Sequence, residues 1–447
     1  MRTFVDRTAQ DEEVVREIRA VATPLEGDRD LDPLLDRIGN ARYVLLGEAS
    51  HGTHEYYTWR ARLSRRLIRE KGFSFISVEG DWPDCYRVNC YVKGEDGLGK
   101  SAREVLHAFE RWPTWMWANE EVVDLAEWLR EHNQSLAPER KVGFYGLDVY
   151  SLWDSLQAVL DYLARVDGSA VEAARQAFHC FEPYGEDPQT YAWSTMITPT
   201  NCRDAVVEAL VQLRRSAPVL QSAAIDGREA YFNAEQNALV AQNAERYYRT
   251  MVQGGPASWN VRDHHMMETL DRLMRHHGPE TKGIVWEHNT HVGDARATDM
   301  AGAGMFNIGQ LARERHEGEG VVLVGFGSYE GSVIAGRRWG ARMERLPVPP
   351  AQAGSYEDLL HRAGRQDLLL LLTGDTPAPP SLRETRGHRA IGVVYNPENE
   401  AWGNYVPTRL AERYDAFLYV DRTQALRPLH MPVRAERDLP ETFPSGV

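Results

Sequence analysis

Four cysteines in 447 residues are too few for a disulfide framework, and the spacings of Cys85, Cys90, Cys180 and Cys202 match no zinc-binding pattern. Free cysteine is usually buried, so all four are expected as reduced interior thiols of a cytoplasmic protein. The opening residues MRTFVDRTAQDEE lack the apolar core of a secretory signal. No uncharged apolar run is long enough to cross a bilayer, so no membrane span is expected. Blocks of Lys and Arg are missing and the net charge is −14. Phosphate backbones require clustered cations, which disfavours a nucleic-acid partner. There is no Gly-x-Ser-x-Gly, which disfavours a serine esterase built on a nucleophile elbow. His-Glu-x-x-His and its inverse His-x-x-Glu-His are absent too, removing two zinc-protease patterns. Internal repeats and low-complexity tracts are also lacking.

What the chain does have is alternation of short apolar runs with helix-length segments. Strands are predicted over 42–48, 73–81, 141–148, 283–289, 320–327, 367–372, 390–396 and 416–421. They are apolar on both faces, as parallel strands covered by helices are. The first two flank a helical segment, residues 52–71, which makes a βαβ unit. Between residues 150 and 280 the strands stop, and helices are predicted over 151–166, 169–179, 203–216, about 226–250 and 262–277. The expected fold is α/β, a mostly parallel central sheet flanked by helices. Residues 1–150 and 281–447 form the two halves of its core, and residues 151–280 a helical insertion or lid over the cleft. Pro-rich 344–354 and 373–381 read as surface loops.

The segment LLGEASHGTHEYYTWR (45–60) puts Glu48, His51, His54 and Glu55 close together in the chain. If a helix begins near Thr53, capped by Ser50 or Thr53, then His54, Glu55, Thr58 and Arg62 share one face. His51 then stands in the strand-to-helix loop, and only from there can Arg60 face the same cleft. Other predicted strands also end in polar groups: Glu79 and Asp81, Asp148, and the run Glu287, His288, Asn289 and His291. Ligands bind outside the carboxyl ends of strands in open α/β sheets. Taken singly, each such residue could be a helix-terminal or solvated group. Together, Glu48, His51, Glu79 and His288 point to one site.

Two chemistries suit that set. An imidazole beside a carboxylate can take a proton from water as it attacks an ester carbonyl, with Arg60 or His288 holding the oxyanion. Alternatively, Glu48, His51, Glu79, His288 and His291 supply oxygen and nitrogen ligands for zinc or manganese. Candidate substrate-binding residues are His54, Trp82, Trp115 and Trp117. The stretch RWPTWMWAN (111–119) forms either an apolar wall for a large ligand or ordinary core. His264 and His265, adjacent on a helix, diverge and make a poor chelating pair.

GEASHGTHEYYTWR, VEGDWPD, WEHNTHVGDARATDM and AIGVVYNPENEAWGNYVPTRLAERYDAFLYVD resemble the erythromycin esterase family, in the family's order, over roughly residues 40 to 430. The resemblance implies an α/β core with added helices. It also implies hydrolysis of macrolide lactones without metal or other cofactor, a histidine activating water. His51, in Gly-Glu-x-x-His, is the implied general base and Glu48 its helper. Arg60, Glu79, His288 and His291 match other positions of the family's active site. The implied partner is a small ester or macrolide-like molecule. Glu287 adds a charge beside His288 where the macrolide esterases are expected to carry a small residue, which bears on the substrate.

Overall fold

The computed structural model describes residues 2–95, 101–166, 171–184, 188–197, 201–215, 227–374 and 378–430. Its strands are β1 (Ala22–Pro24), β2 (Tyr43–Leu46), β3 (Phe75–Asp81), β4 (Gly143–Asp148), β5 (Gly283–Trp286), β6 (Val321–Gly336), β7 (Met343–Val348), β8 (Leu368–Leu371), β9 (Thr385–Arg389), β10 (Tyr405–Arg409) and β11 (Ala416–Arg422). The chain divides into two compact units. The first comprises Met1–Ile76, Tyr91–Gly143 and Glu280–Val447, and the second Ser77–Cys90 and Phe144–Pro279.

In the first unit the strand order is β1-β8-β11-β6-β2-β5. The central pairs, β5 with β2, β2 with β6 and β6 with β11, are parallel, while β8 and β1 run antiparallel at one edge. This is the expected α/β fold. β2 has no solvated face: Val44, Leu45 and Leu46 are wholly buried. Each such side chain contributes about 2 kcal/mol, which explains a continuous apolar run in place of alternation. Helix Tyr356–Gly364 packs on β6 and β11, and helix Ile308–His316 on β6.

Two expectations need correction here, and one small sheet was not foreseen. Residues 390–396 form no strand. Ile391 makes only an isolated bridge to Ser50 and Val394 one to Gly336, so the mostly buried segment touches the Ser50 loop and the end of β6 without forming a ladder. Residues 344–354 are not all loop, because β7 pairs antiparallel with the far half of β6 and places Pro347 opposite Ser332. Proline is tolerated on such an edge strand, so its presence did not exclude one. β9 and β10 form a separate two-stranded sheet whose polar residues gave no strand pattern. Of the second expected loop, 375–377 lie outside the described residues.

The second unit holds helices Leu152–Val166, Val171–Phe181, Pro188–Ile197, Arg203–Arg215, Gly227–Met251 and Ala257–His277, together with most of β3 and β4. The helical stretch foreseen from residue 151 thus falls in this unit; residues 169–170, 216 and 226 of the expected helices lie outside the described residues. The helices pack through clusters that include Leu156, Phe181, Tyr191 and Tyr247. Here the four-thiol expectation fails. Cys180 and Cys202 are joined in a disulfide, their Cα atoms 5.7 Å apart, whereas Cys85 and Cys90 are buried thiols outside any disulfide. Helix packing brings together two cysteines 22 residues apart, a proximity that sequence spacing does not show. Disulfides persist chiefly in oxidising compartments, so the cytoplasmic expectation loses its footing in reduced thiols. Among the described residues no helix is long and apolar enough to cross a membrane.

Candidate active site

Parallel β2 and β5 are neighbours, so the loops that follow them leave the same edge of the sheet. The Asn289 amide donates to the Glu48 carbonyl at 2.8 Å and stitches the two loops together. The approach is so close that a Cβ on Gly47 would lie 2.1 Å from Asn289 Oδ1. Glu48, His51, Arg60 and His288 are all buried in this junction.

Glu48 divides its carboxylate between two partners. Oε1 meets His51 Nδ1 at 2.9 Å, and Oε2 accepts from Arg60 Nη2 at 2.6 Å. The Arg60 guanidinium lies over the rings of Tyr57 (4.4 Å) and Trp286 (4.7 Å), which hold its plane. Arg60 is fully buried, so Glu48 is its necessary counter-charge. A carboxylate only accepts hydrogen bonds. The pattern therefore assigns the His51 proton to Nδ1 and leaves a lone pair on Nε2.

His288 is set the opposite way. Its Nδ1 accepts from the Thr290 backbone amide at 3.3 Å and lies 2.9 Å from Thr290 Oγ1. A backbone N–H can only donate, so neutral His288 carries its proton on Nε2. The His51 and His288 rings lie 4.8 Å apart, tilted by 41°. One ring is thus arranged as a base and its neighbour as a donor. His291 and Glu287 are buried alongside, His291 on the single turn Asn289–Val292.

The loop bearing His51 is clamped from three directions. The Gly52 carbonyl accepts from Ile334 (3.0 Å) and from Leu426 (2.9 Å), and the Ala49 carbonyl accepts from Ile391 (2.8 Å). A Cβ at Gly52 would sit 1.9 Å from the Ile334 carbonyl oxygen. The segment from Gln424 to Leu429 forms a strap over this region. The His54 amide donates to the Gln424 carbonyl at 2.8 Å, and the Leu429 amide to the Ala118 carbonyl at 2.8 Å.

The helix starts at His54, with Thr53 at its N-cap position. Thr53 gives no side-chain cap, because its hydroxyl bonds Ser50 Oγ instead. His54, Glu55, Thr58 and Arg62 line one cavity together, as their spacing predicted. His54 is engaged in a structural contact: Nδ1 meets Glu121 at 2.6 Å, and Glu121 also takes Arg427 at 3.0 Å. The bond to Glu121 holds the His54 pKa above the usual histidine value against the opposing effect of burial. Trp115 and Trp117 are buried and pack against Trp112 and Tyr57, with centroids 5.4 and 6.1 Å apart, which favours ordinary core over a ligand wall for this run.

Glu79 and Asp148 belong to the second unit, where both grip Arg262. Asp148 does so through two bonds of 2.9 and 2.7 Å, and Glu79 through one of 2.7 Å. Burial opposes the Arg262 charge, but Asp148, Tyr150 and Glu79 outweigh it and hold the guanidinium protonated. Trp82 is fully buried between Tyr145 and Tyr86, its indole donating to Asn233, so it is core and not an exposed recognition surface. His264 and His265 diverge as expected: His264 is half-buried near Glu268, while burial drives the His265 pKa down to about 4. Among the described residues no group of three or more His, Cys, Asp or Glu side chains is placed to hold a metal ion.

Sequence reasoning missed a second carboxylate–imidazole pair. Glu357 and His388 are fully buried, 2.5 Å apart. His388 Nε2 lies 3.3 Å from Asn289 Nδ2, so this pair backs the turn that carries His288. Asn289 is itself locked to β6 through Phe326. The available signal was a lone histidine in a polar strand and a glutamate on an amphipathic helix, neither distinctive.

The erythromycin esterase family model matches residues 68–423. The chain belongs to the erythromycin esterase family. It is similar to erythromycin esterase type II of Escherichia coli, with 22% identity over 352 residues, covering 75% of this chain and 81% of that protein. Its fold is similar to that of a protein described as a succinoglycan biosynthesis protein, with a TM-score of 0.74 and 21% identity over 93% of this chain and 98% of that one. It is also similar to a histidine mutant of the erythromycin esterase EreC in its open conformation, with a TM-score of 0.66 and 20% identity over 89% and 95% of the two chains. Membership of this family suggests hydrolase activity.

Proposed function

We propose that the protein is a carboxylic ester hydrolase in which His51 activates water without a metal. Nε2 of His51 takes a proton from water as the oxygen attacks the ester carbonyl, and Glu48 stabilises the imidazolium that forms. The Nε2–H of His288 donates to the developing oxyanion. Collapse of the tetrahedral intermediate breaks the C–O bond, and His51 returns its proton to the departing alkoxide. A lactone gives one ring-opened hydroxy acid heavier by one water. The observation that carries the reading is the opposed hydrogen bonding of His51 and His288, one nitrogen a base and the other a donor, with rings 4.8 Å apart. Arg60 positions Glu48, and His291, buried on the turn that follows His288, completes the acid–base environment. Macrolide lactones are the leading substrate class, after the E. coli relative's name, with antibiotic resistance as the consequence.

The test is mass spectrometry on macrolides of several ring sizes and on simple esters. A gain of one water is expected with the wild type and none with His51→Asn, which should remain folded by circular dichroism. Turnover by folded His51→Asn at the wild-type rate refutes the role of His51. Activity abolished by a chelator and restored by added metal refutes the metal-free mechanism.

A further inference from the structure

The sequence has no block of basic residues, yet one face of helix His54–Lys71 assembles one. Arg62, Arg65, Arg66 and Arg69 recur at helical spacing and, with Arg29, line a surface groove of about 470 Å³. The wall facing them is Trp128. Five guanidiniums thus meet only two lining carboxylates, Asp28 and Glu70. Their pairing is uneven. Arg66 takes both Glu70 oxygens, at 2.7 and 3.0 Å, and Asp32 at 2.6 Å. Arg62 has a loose, exposed contact with Asp28 at 3.7 Å. Arg29, Arg65 and Arg69 have no ion pair among the described residues.

Arg65 and Arg69 both lie over the Trp128 ring, 5.5 and 4.9 Å from its centroid, so two cations share one aromatic wall. Arg65 donates to a neutral backbone carbonyl, that of Asp124, and its Nε is buried with no hydrogen-bond partner. Burial disfavours its charge, as do Arg69 and Arg62, against help from Asp124 and Asp28. Five guanidiniums outnumber the two carboxylates that line the groove, so an added anion would relieve the excess positive charge there. Guanidinium forks fit tetrahedral and planar oxyanions through paired, charge-assisted bonds.

We propose that this groove binds a phosphoryl group, held between Arg65 and Arg69 and flanked by Arg29 and Arg62. The shared chemistry is a phosphate dianion, free or as a monoester. The site belongs to the first unit and is independent of the hydrolytic reading above.

The test is isothermal titration of the full chain with inorganic phosphate and with glycerol 3-phosphate, sodium chloride keeping the ionic strength constant. Saturable binding is expected, weakened at least about tenfold in Arg65→Ala/Arg69→Ala and unchanged in the remote exposed variant Arg345→Ala. Equal affinity for the two ligands assigns free phosphate, and tighter binding of glycerol 3-phosphate assigns a monoester. Either supports the site. If the double variant loses its helical signal, Arg29→Ala/Arg69→Ala, which leaves Arg65 on Trp128, carries the same expectation. Absence of saturable heat with both ligands, or full affinity in the folded double variant, overturns the proposal.

Discussion

Gly52→Ala adds one methyl group next to His51, and its cost follows from a single distance. The new Cβ would lie 1.9 Å from the Ile334 carbonyl oxygen and 2.7 Å from the Ile334 nitrogen. Real Cβ contacts essentially never fall below 3.0 Å, so the two backbones must part by at least 1.1 Å. Neither can do so cheaply, since β6 carries Ile334 in the sheet and the Gly52 carbonyl holds both Ile334 and Leu426. Overpacking of this kind costs about 1–3 kcal/mol, and displacing the loop also strains bonds to β6 and the strap. A misplacement of about 1 Å in a reacting group can cost on the order of a hundredfold in rate. The expected outcome is a variant less stable to urea by at least about 1 kcal/mol and, on any ester the wild type hydrolyses, about a hundredfold slower in kcat. Gly318→Ala is the control, because nothing lies within 4 Å of its Cβ. Unfolding midpoints and kcat for Gly52→Ala that match those of Gly318→Ala would refute the claim that this close contact positions His51.

Two other perturbations test features of the fold. Because Glu121 raises the His54 pKa above 6.5, that interaction stabilises the protein fully below pH 6.5 and fades as pH rises through the elevated folded value. Denaturant curves should therefore show the gap between wild type and Glu121→Gln narrowing toward alkaline pH, leaving the part due to Arg427; a gap that widens contradicts the assignment. In unfolded but unreduced protein, alkylation followed by mass measurement should label only Cys85 and Cys90, with Cys180 and Cys202 reacting after reduction. Cys202→Ala should cost about 3 kcal/mol through the freed loop, and labelling of all four cysteines without reductant would show that the bond does not form.

The reach of the sequence followed the range of the interactions. The hydrophobic core strands were legible, because parallel strands buried on both faces leave apolar runs that cannot be solvated. The phase of helix His54–Lys71 was legible too. Helical spacing put Thr58 and Arg62 beside His54, and it required His51 to lie in a loop if Arg60 was to face it, as the Glu48 carboxylate bridging the two now shows. Contacts between remote segments were not legible. Nothing near residue 357 or 388 announces that the two meet behind Asn289, and Cys180 meets Cys202 only through helix packing. The aromatic run at 111–119 was ambiguous because a pocket wall and a core have the same composition; neighbours such as Tyr57 favour core. The arginines of the groove escaped notice since a helix, not the linear order, gathers them.

The strap has a consequence in time as well as space. The loop that carries His51 is synthesised hundreds of residues before two of its anchors, Leu426 for Gly52 and Gln424 for His54. Closing contacts of such sequence separation is slow and cannot begin until their far ends exist. During synthesis, therefore, the helix, β2 and the neighbouring glutamate can form while His51 still lacks its clamp. A nascent or truncated chain ending before Gln424 would hold every proposed catalytic side chain and still lack the last supports that fix one of them. Until Gln424 and Leu426 have been made and packed, the loop that carries His51 is held only by its bonds to Ile334 and Ile391.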